Sequence, residues 1–69
     1  METSIYEADP FTEKRAGLLA TINTDYRFEK GDEIFFDRGE RPLKVRIIKV
    51  WLHVQDGGRL SREVLALKL

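Results

Sequence analysis

A chain of 69 residues has room for one domain, because even about 60 residues bury only about 60% of their unfolded surface. With 42% hydrophobic and 35% charged residues and a formal net charge of zero, it is neither a disordered tail nor a domain built on bulk phosphate neutralisation. It has no cysteine and one histidine, His53, so neither a disulfide framework nor a common zinc site can be assembled and the apolar core must carry the fold.

The first residues, Met1 to Glu7, carry acids where a secretory signal needs basic residues and then an apolar run. The longest uncharged stretch, Ala16 to Thr24, falls far short of the roughly 20 apolar residues that cross a bilayer. Together with the missing cysteine this sets the expectation of a cytoplasmic protein with no membrane contact. Residues 1–8 read as a flexible N-terminal arm, and residues 9–69 as a single small β-barrel-like domain.

Asp9-Pro10-Phe11-Thr12-Glu13 predicts one short helical turn, with Asp9 as N-cap, Pro10 at the first helical position and Gly17 as the stop. So short a helix needs Phe11 or a neighbour docked on the core. Leu18-Leu19-Ala20-Thr21-Ile22 predicts a first strand, bounded by Gly17 and by Asn23-Thr24-Asp25. Tyr26-Arg27-Phe28 alternates, Lys30-Gly31-Asp32 makes a turn, and Glu33-Ile34-Phe35-Phe36 predicts the next strand, stopped by Asp37 to Pro42.

From Leu43 to Gln55 the apolar alternation changes phase. Leu43, Val45 and Ile47 share one face; after the pair Ile47-Ile48 the apolar positions are Ile48, Val50, Leu52 and Val54. A strand that keeps burying such a pattern needs a bulge or a sharp bend at the isoleucine pair. Asp56-Gly57-Gly58 supplies the positive-φ residues of a tight hairpin, and Arg59 to Leu69 returns as a last strand. The competing reading of that segment is a helix from Ser61, because Leu60, Val64 and Leu67 also fall at helical spacing. Four or five short antiparallel strands must deal with their edges. The predicted fold is therefore all-β, an SH3-like or OB-like half-open antiparallel barrel with at most one N-terminal helical turn.

Charge is distributed unevenly along the chain. Residues 1–37 hold four basic and nine acidic side chains (net −5), whereas residues 38–69 hold eight and three (net +5). Attraction between the halves across the fold is the plain reading, and a basic face that meets a partner the sharper one.

Catalysis has little to draw on. His53 stands alone, Ser4 and Ser61 lie in no nucleophile elbow, and the glycines read as turn punctuation, so we expect no enzyme, no catalytic residue, no metal and no cofactor. Asp32 and Asp37 read as turn residues. The one constellation that stands out is the outer face of the long strand, which carries Lys44 and Arg46 before the phase change and Lys49, Trp51, His53 and Gln55 after it. A tryptophan among cations on a barrel strand suits stacking of single-stranded nucleic-acid bases, and equally suits anchoring of a protein loop. The candidate binding residues are Lys44, Arg46, Lys49, Trp51 and His53, and the partner classes are protein or single-stranded nucleic acid.

The run from Tyr26 to Phe36, the bent strand and Asp56-Gly57-Gly58 resemble a pattern common to small barrels. Over residues 26–69 they also resemble the C-terminal barrel segment of phage head–tail joining proteins, which implies a structural joint with ring-forming contacts and no active site. The expectations are therefore a small non-catalytic binding module or, alternatively, a structural assembly subunit that meets copies of itself.

Overall fold

The computed structural model describes residues 1–69 as an all-β fold of five strands: β1 (Glu2–Ala8), β2 (Arg15–Asn23), β3 (Glu33–Phe36), β4 (Leu43–Val54) and β5 (Leu60–Lys68). They form one sheet in the order β2-β1-β5-β4-β3, curled into a half-barrel as the alternating segments predict. Every neighbouring pair is antiparallel except β1 and β5, which run parallel from Glu2↔Ser61 to Glu7↔Ala66.

That parallel pair overturns the reading of residues 1–8 as a flexible arm. β1 lies between β2 and β5, and Thr3, Ile5 and Ala8 are buried. The β-branched Thr3 and Ile5 alternate with Ser4 and Tyr6, so one face of the segment can be buried once β5 is there to receive it.

The expected helical turn is absent as well. Asp9 performs the cap chemistry, its Oδ1 accepting from the N–H groups of Phe11 (2.8 Å) and Thr12 (3.2 Å). The chain then turns back through Glu13 at φ 57°, and Asp9 N–H donates to the Lys14 carbonyl. Phe11, 94% exposed, has nothing to dock on, which removes the condition the helix required. Gly17, expected to stop that helix, lies inside β2 instead.

The last segment is a strand, not a helix. Gly57 (φ 88°) and Gly58 (φ 85°) make the turn that joins it to β4, and Gly58 N–H donates to the Gln55 carbonyl at 2.9 Å.

Three bulges bend the sheet. In β4 the register passes from Ile47↔Ala66 to Lys49↔Leu65, leaving Ile48 as the extra residue at the place the doubled isoleucines predict. In β2 the pairs Ile5↔Ala20 and Tyr6↔Leu18 skip Leu19, and Glu7↔Gly17 and Ala8↔Arg15 skip Ala16.

Curling brings the two edges over one core. Ile5, Ile47 and Val64, from three adjacent strands, form its centre, with Leu19 from β2, Ile34 and Phe36 from β3, Phe28 and Val50 packed around them. Burying each of the large side chains contributes about 1.5–3 kcal/mol. Between the open edges, Arg38 Nη2 donates to the Leu19 carbonyl at 3.2 Å, occupying a backbone acceptor of edge strand β2 with a side chain. No helix is long and apolar enough to cross a membrane.

Ion pairs join the two halves. Lys44 and Arg46 of the basic half meet Glu33 of the acidic half at 2.8 and 3.3 Å, in the sense the charge distribution sets, whereas Arg15 and Glu63, 2.9 Å apart, each carry the minority sign of their half.

Candidate binding face on β4

The bulge decides which side chains face out. Ile47, Val50, Leu52 and Val54 pair with Ala66, Val64, Arg62 and Leu60, whereas Arg46, Lys49, Trp51 and His53 pair with Leu67, Leu65, Glu63 and Ser61. Residues directly opposite on neighbouring strands share a face, so Lys44, Arg46, Lys49, Trp51 and His53 form one outer row while the apolar set stays with the core face. Without the extra residue, everything beyond Ile47 would exchange faces.

The row is aromatic but not uniformly basic. Trp51 is 39% exposed, and the Lys49 ammonium stands 5.9 Å from its ring centroid, within the range of a cation–π contact. Lys44 Nζ and Arg46 Nη2 both bind the Glu33 carboxylate, one on each oxygen. Their hydrogen bonds, Lys44 first and Arg46 second, hold that carboxyl below the usual carboxylate range. At the far end His53 Nε2 lies 3.9 Å from Glu63 Oε1, the oxygen that also accepts from Arg15 Nη1. Of the predicted cations, Lys49 alone is without a carboxylate partner.

The lowered Glu33 value sets the pH sense of this masking. The clamp is complete above the ordinary carboxylate range and is lost as the pH falls through the lowered folded-state value. Exchanging Glu33→Gln at neutral pH is expected to unmask Lys44 and Arg46. Affinity of this face for an oligothymidylate should rise by roughly three- to tenfold at low salt, with the salt slope of log K steepened by up to about 1.4 for two added phosphate contacts. An NMR titration across a salt series checks this, and an unchanged slope contradicts the masking.

The row borders a groove that the sequence pattern does not reveal. β3 accompanies β4 only from Leu43 to Arg46, and the pairing ends where Gly31 N–H donates to the Ile47 carbonyl and Ile47 N–H donates to the Asp32 carbonyl. Upstream of Gly31 the chain leaves β4 and folds over the core, so the second edge of β4 beyond Ile48 has no neighbouring strand. The resulting open groove, of about 500 Å³, is lined by Phe28, Glu29, Lys30, Ile48, Lys49, Val50 and Trp51. Glu29 pairs with Arg27 at 3.8 Å, whereas neither Lys30 nor Lys49 has a carboxylate partner.

Arg62 holds the far wall of this groove, and nothing in the local pattern singles it out. Its Nε donates to Thr3 Oγ1 (3.1 Å) and its Nη2 to the Thr24 carbonyl (3.0 Å), while Nη1 donates to the Tyr26 carbonyl. The guanidinium also stacks 5.0 Å from the Phe28 ring, which meets Tyr26 edge-on. The planar fork thus fixes residues 24–28 against the inner face of β5. Thr3 is fully buried, and its hydroxyl is satisfied by this contact. Asp32 closes the segment as a turn residue, its Oδ2 accepting from Glu29 N–H at 3.0 Å.

On the core-side face of the same hairpin, beyond the reach of residues 24–30, Leu52, Val54 and Leu60 are 56%, 67% and 43% exposed. The hairpin extends the molecule to 41 × 28 × 19 Å, and the radius of gyration of 12.3 Å exceeds the value of about 11 Å for a compact chain of this length. The chain matches no known protein family, no curated protein and no solved structure. The functional reading therefore rests on its own geometry.

Proposed function

We propose that this chain is a small, non-catalytic, protein-binding module whose contact surface is the Trp51 side of β4 and the groove beside it. One observation carries the reading: Phe28, Ile48, Val50 and Trp51 offer apolar area to solvent next to a strand edge without a neighbour. Partly exposed aromatics flanked by cations are common interface anchors. Protein is favoured over single-stranded nucleic acid because Glu33 neutralises two of the row's cations, leaving few sites for phosphate.

The test is a pair of NMR titrations, one with an extended peptide of alternating valine and glutamate and one with an oligothymidylate. Peptide-induced shifts at the Trp51 indole N–H and at residues 28–30 and 48–51 are expected. Trp51→Ala should weaken peptide binding by roughly tenfold, the range of an aromatic anchor. Shifts with the oligonucleotide alone, or shifts confined to another face, overturn the proposal.

A second reading, a structural subunit that meets copies of itself, is favoured by the exposure of Leu52, Val54 and Leu60 along the projecting hairpin. Its expected result is a concentration-dependent mass in sedimentation equilibrium that Val54→Glu abolishes. A monomer throughout excludes it.

A further inference from the structure

We infer that the partner binds as an added β-strand on the vacant edge of β4, and that it is an extended segment with acidic side chains on one face and apolar ones on the other. This deepens the binding-module reading and rests on it.

The edge comes first. β4 runs twelve residues, Leu43–Val54, but β3 covers only four of them, and the turn at Gly31 and Asp32 takes both backbone groups of Ile47. From Ile48 to Val54 the line that β3 would continue is empty, and a groove of about 500 Å³ lies along its start. An unpaired strand edge presents alternate N–H and C=O groups as a template for a further strand, and extended peptides are captured in this way.

The side chains of β4 then dictate the occupant. An added strand places its residues beside Lys49, Trp51 and His53 on one face and beside Val50, Leu52 and Val54 on the other, because cross-strand neighbours share a face. Lys49 is unpaired on the first face and Lys30 unpaired at the groove's end, so acidic side chains are complementary there. On the second face Leu52 and Val54, more than half exposed, lie where alternate apolar side chains of the incoming strand cover them. Period-2 alternation of the ligand follows from period-2 alternation of the strand it meets.

The experiment uses the full chain, labelled with ¹⁵N, and a capped octapeptide of alternating valine and glutamate. Three controls accompany it: the same peptide with alternate backbone amides N-methylated, one with lysine replacing glutamate, and an oligothymidylate. Strand addition predicts slowed solvent exchange at alternate amides of Ile48–Val54 and interchain NOEs from these residues to the peptide backbone. It also predicts affinity lower by about tenfold or more for the N-methylated peptide, which keeps the side chains but loses the ladder. Lys49→Glu should reverse the preference between the glutamate and lysine peptides. Equal binding of the methylated and unmethylated peptides, with shifts at Trp51 but no protection along β4, overturns strand addition and leaves the binding module standing. Absence of peptide binding together with a response to the oligonucleotide overturns both. A two-fold set of NOEs within β4 of the free protein assigns the edge to a second copy and overturns the acidic-segment proposal.

Discussion

Replacing Ile47 with alanine is expected to cost about 2–5 kcal/mol, the range for truncating a fully buried isoleucine, against a total stability of only about 3–10 kcal/mol for a domain of this size. Ile47 is 1% exposed and sits with Ile5 and Val64 at the point where β1, β5 and β4 meet. Its backbone groups, which join the Gly31-Asp32 turn to β4, are untouched by the substitution, so the loss belongs to the core alone. The adjacent Ile48, half-buried in the bulge, should cost clearly less as Ile48→Ala. Urea unfolding of the two variants checks the order. A larger loss at Ile48 means that the phase change lies elsewhere.

Arg62→Ala is expected to lower stability by about 2–4 kcal/mol, since three charge-assisted hydrogen bonds vanish and the buried Thr3 hydroxyl loses its donor. For so small a domain that corresponds to a drop in Tm on the order of 10–20 °C. The effect should be local as well as global. Residues 24–30 lose their tie to β5, and their amides should exchange faster even where the sheet persists. Arg62→Lys should recover less than half of the loss, because a single ammonium cannot reach Thr3, Thr24 and Tyr26 together or stack on Phe28. Thermal melts with hydrogen exchange on both variants decide it. Full recovery by lysine would show that charge, and not the fork, holds the segment.

The local parts of this fold were legible in the sequence where one residue pair or turn carried the information. Ile47-Ile48 announces the bulge because adjacent apolar residues in an otherwise alternating strand can both be kept inward only by an extra residue. Asp56-Gly57-Gly58 announces the hairpin because both glycines must take positive φ. β1 was not legible. Its acids resemble those of a solvated arm, and although its antiparallel pairing with β2 is local, its parallel partner β5 lies at the other end of the chain, where no local pattern signals that pairing. The absence of the predicted helical turn has a different cause. Asp9 accepts the same two amide hydrogens whether a helix or a tight turn follows, and only the lack of a docking site for Phe11 separates them.

That Lys44, Arg46, Lys49, Trp51 and His53 share one face of β4 is legible in the sequence, but the neutralisation of Lys44 and Arg46 is not. That pairing needs Glu33 directly opposite Arg46 on β3, a register set by the Gly31-Asp32 turn. Phe28, Lys30 and Arg62 are not legible as site residues for a related reason. The groove exists because the chain leaves β4 at Gly31 and because Arg62, one of twelve basic residues, is the one beneath it.

Everything assigned to β4 depends on the single extra residue that turns Trp51 and Lys49 outward beside a vacant edge. Cross-strand NOEs between β4 and β5 in the free protein test this most directly. Contacts pairing Ile47 with Ala66 and Lys49 with Leu65, with Ile48 lacking a partner, are the predicted result. A continuous ladder in which Ile48 opposes Leu65 and Lys49 opposes Val64 would turn the indole toward the core and remove the proposed contact surface.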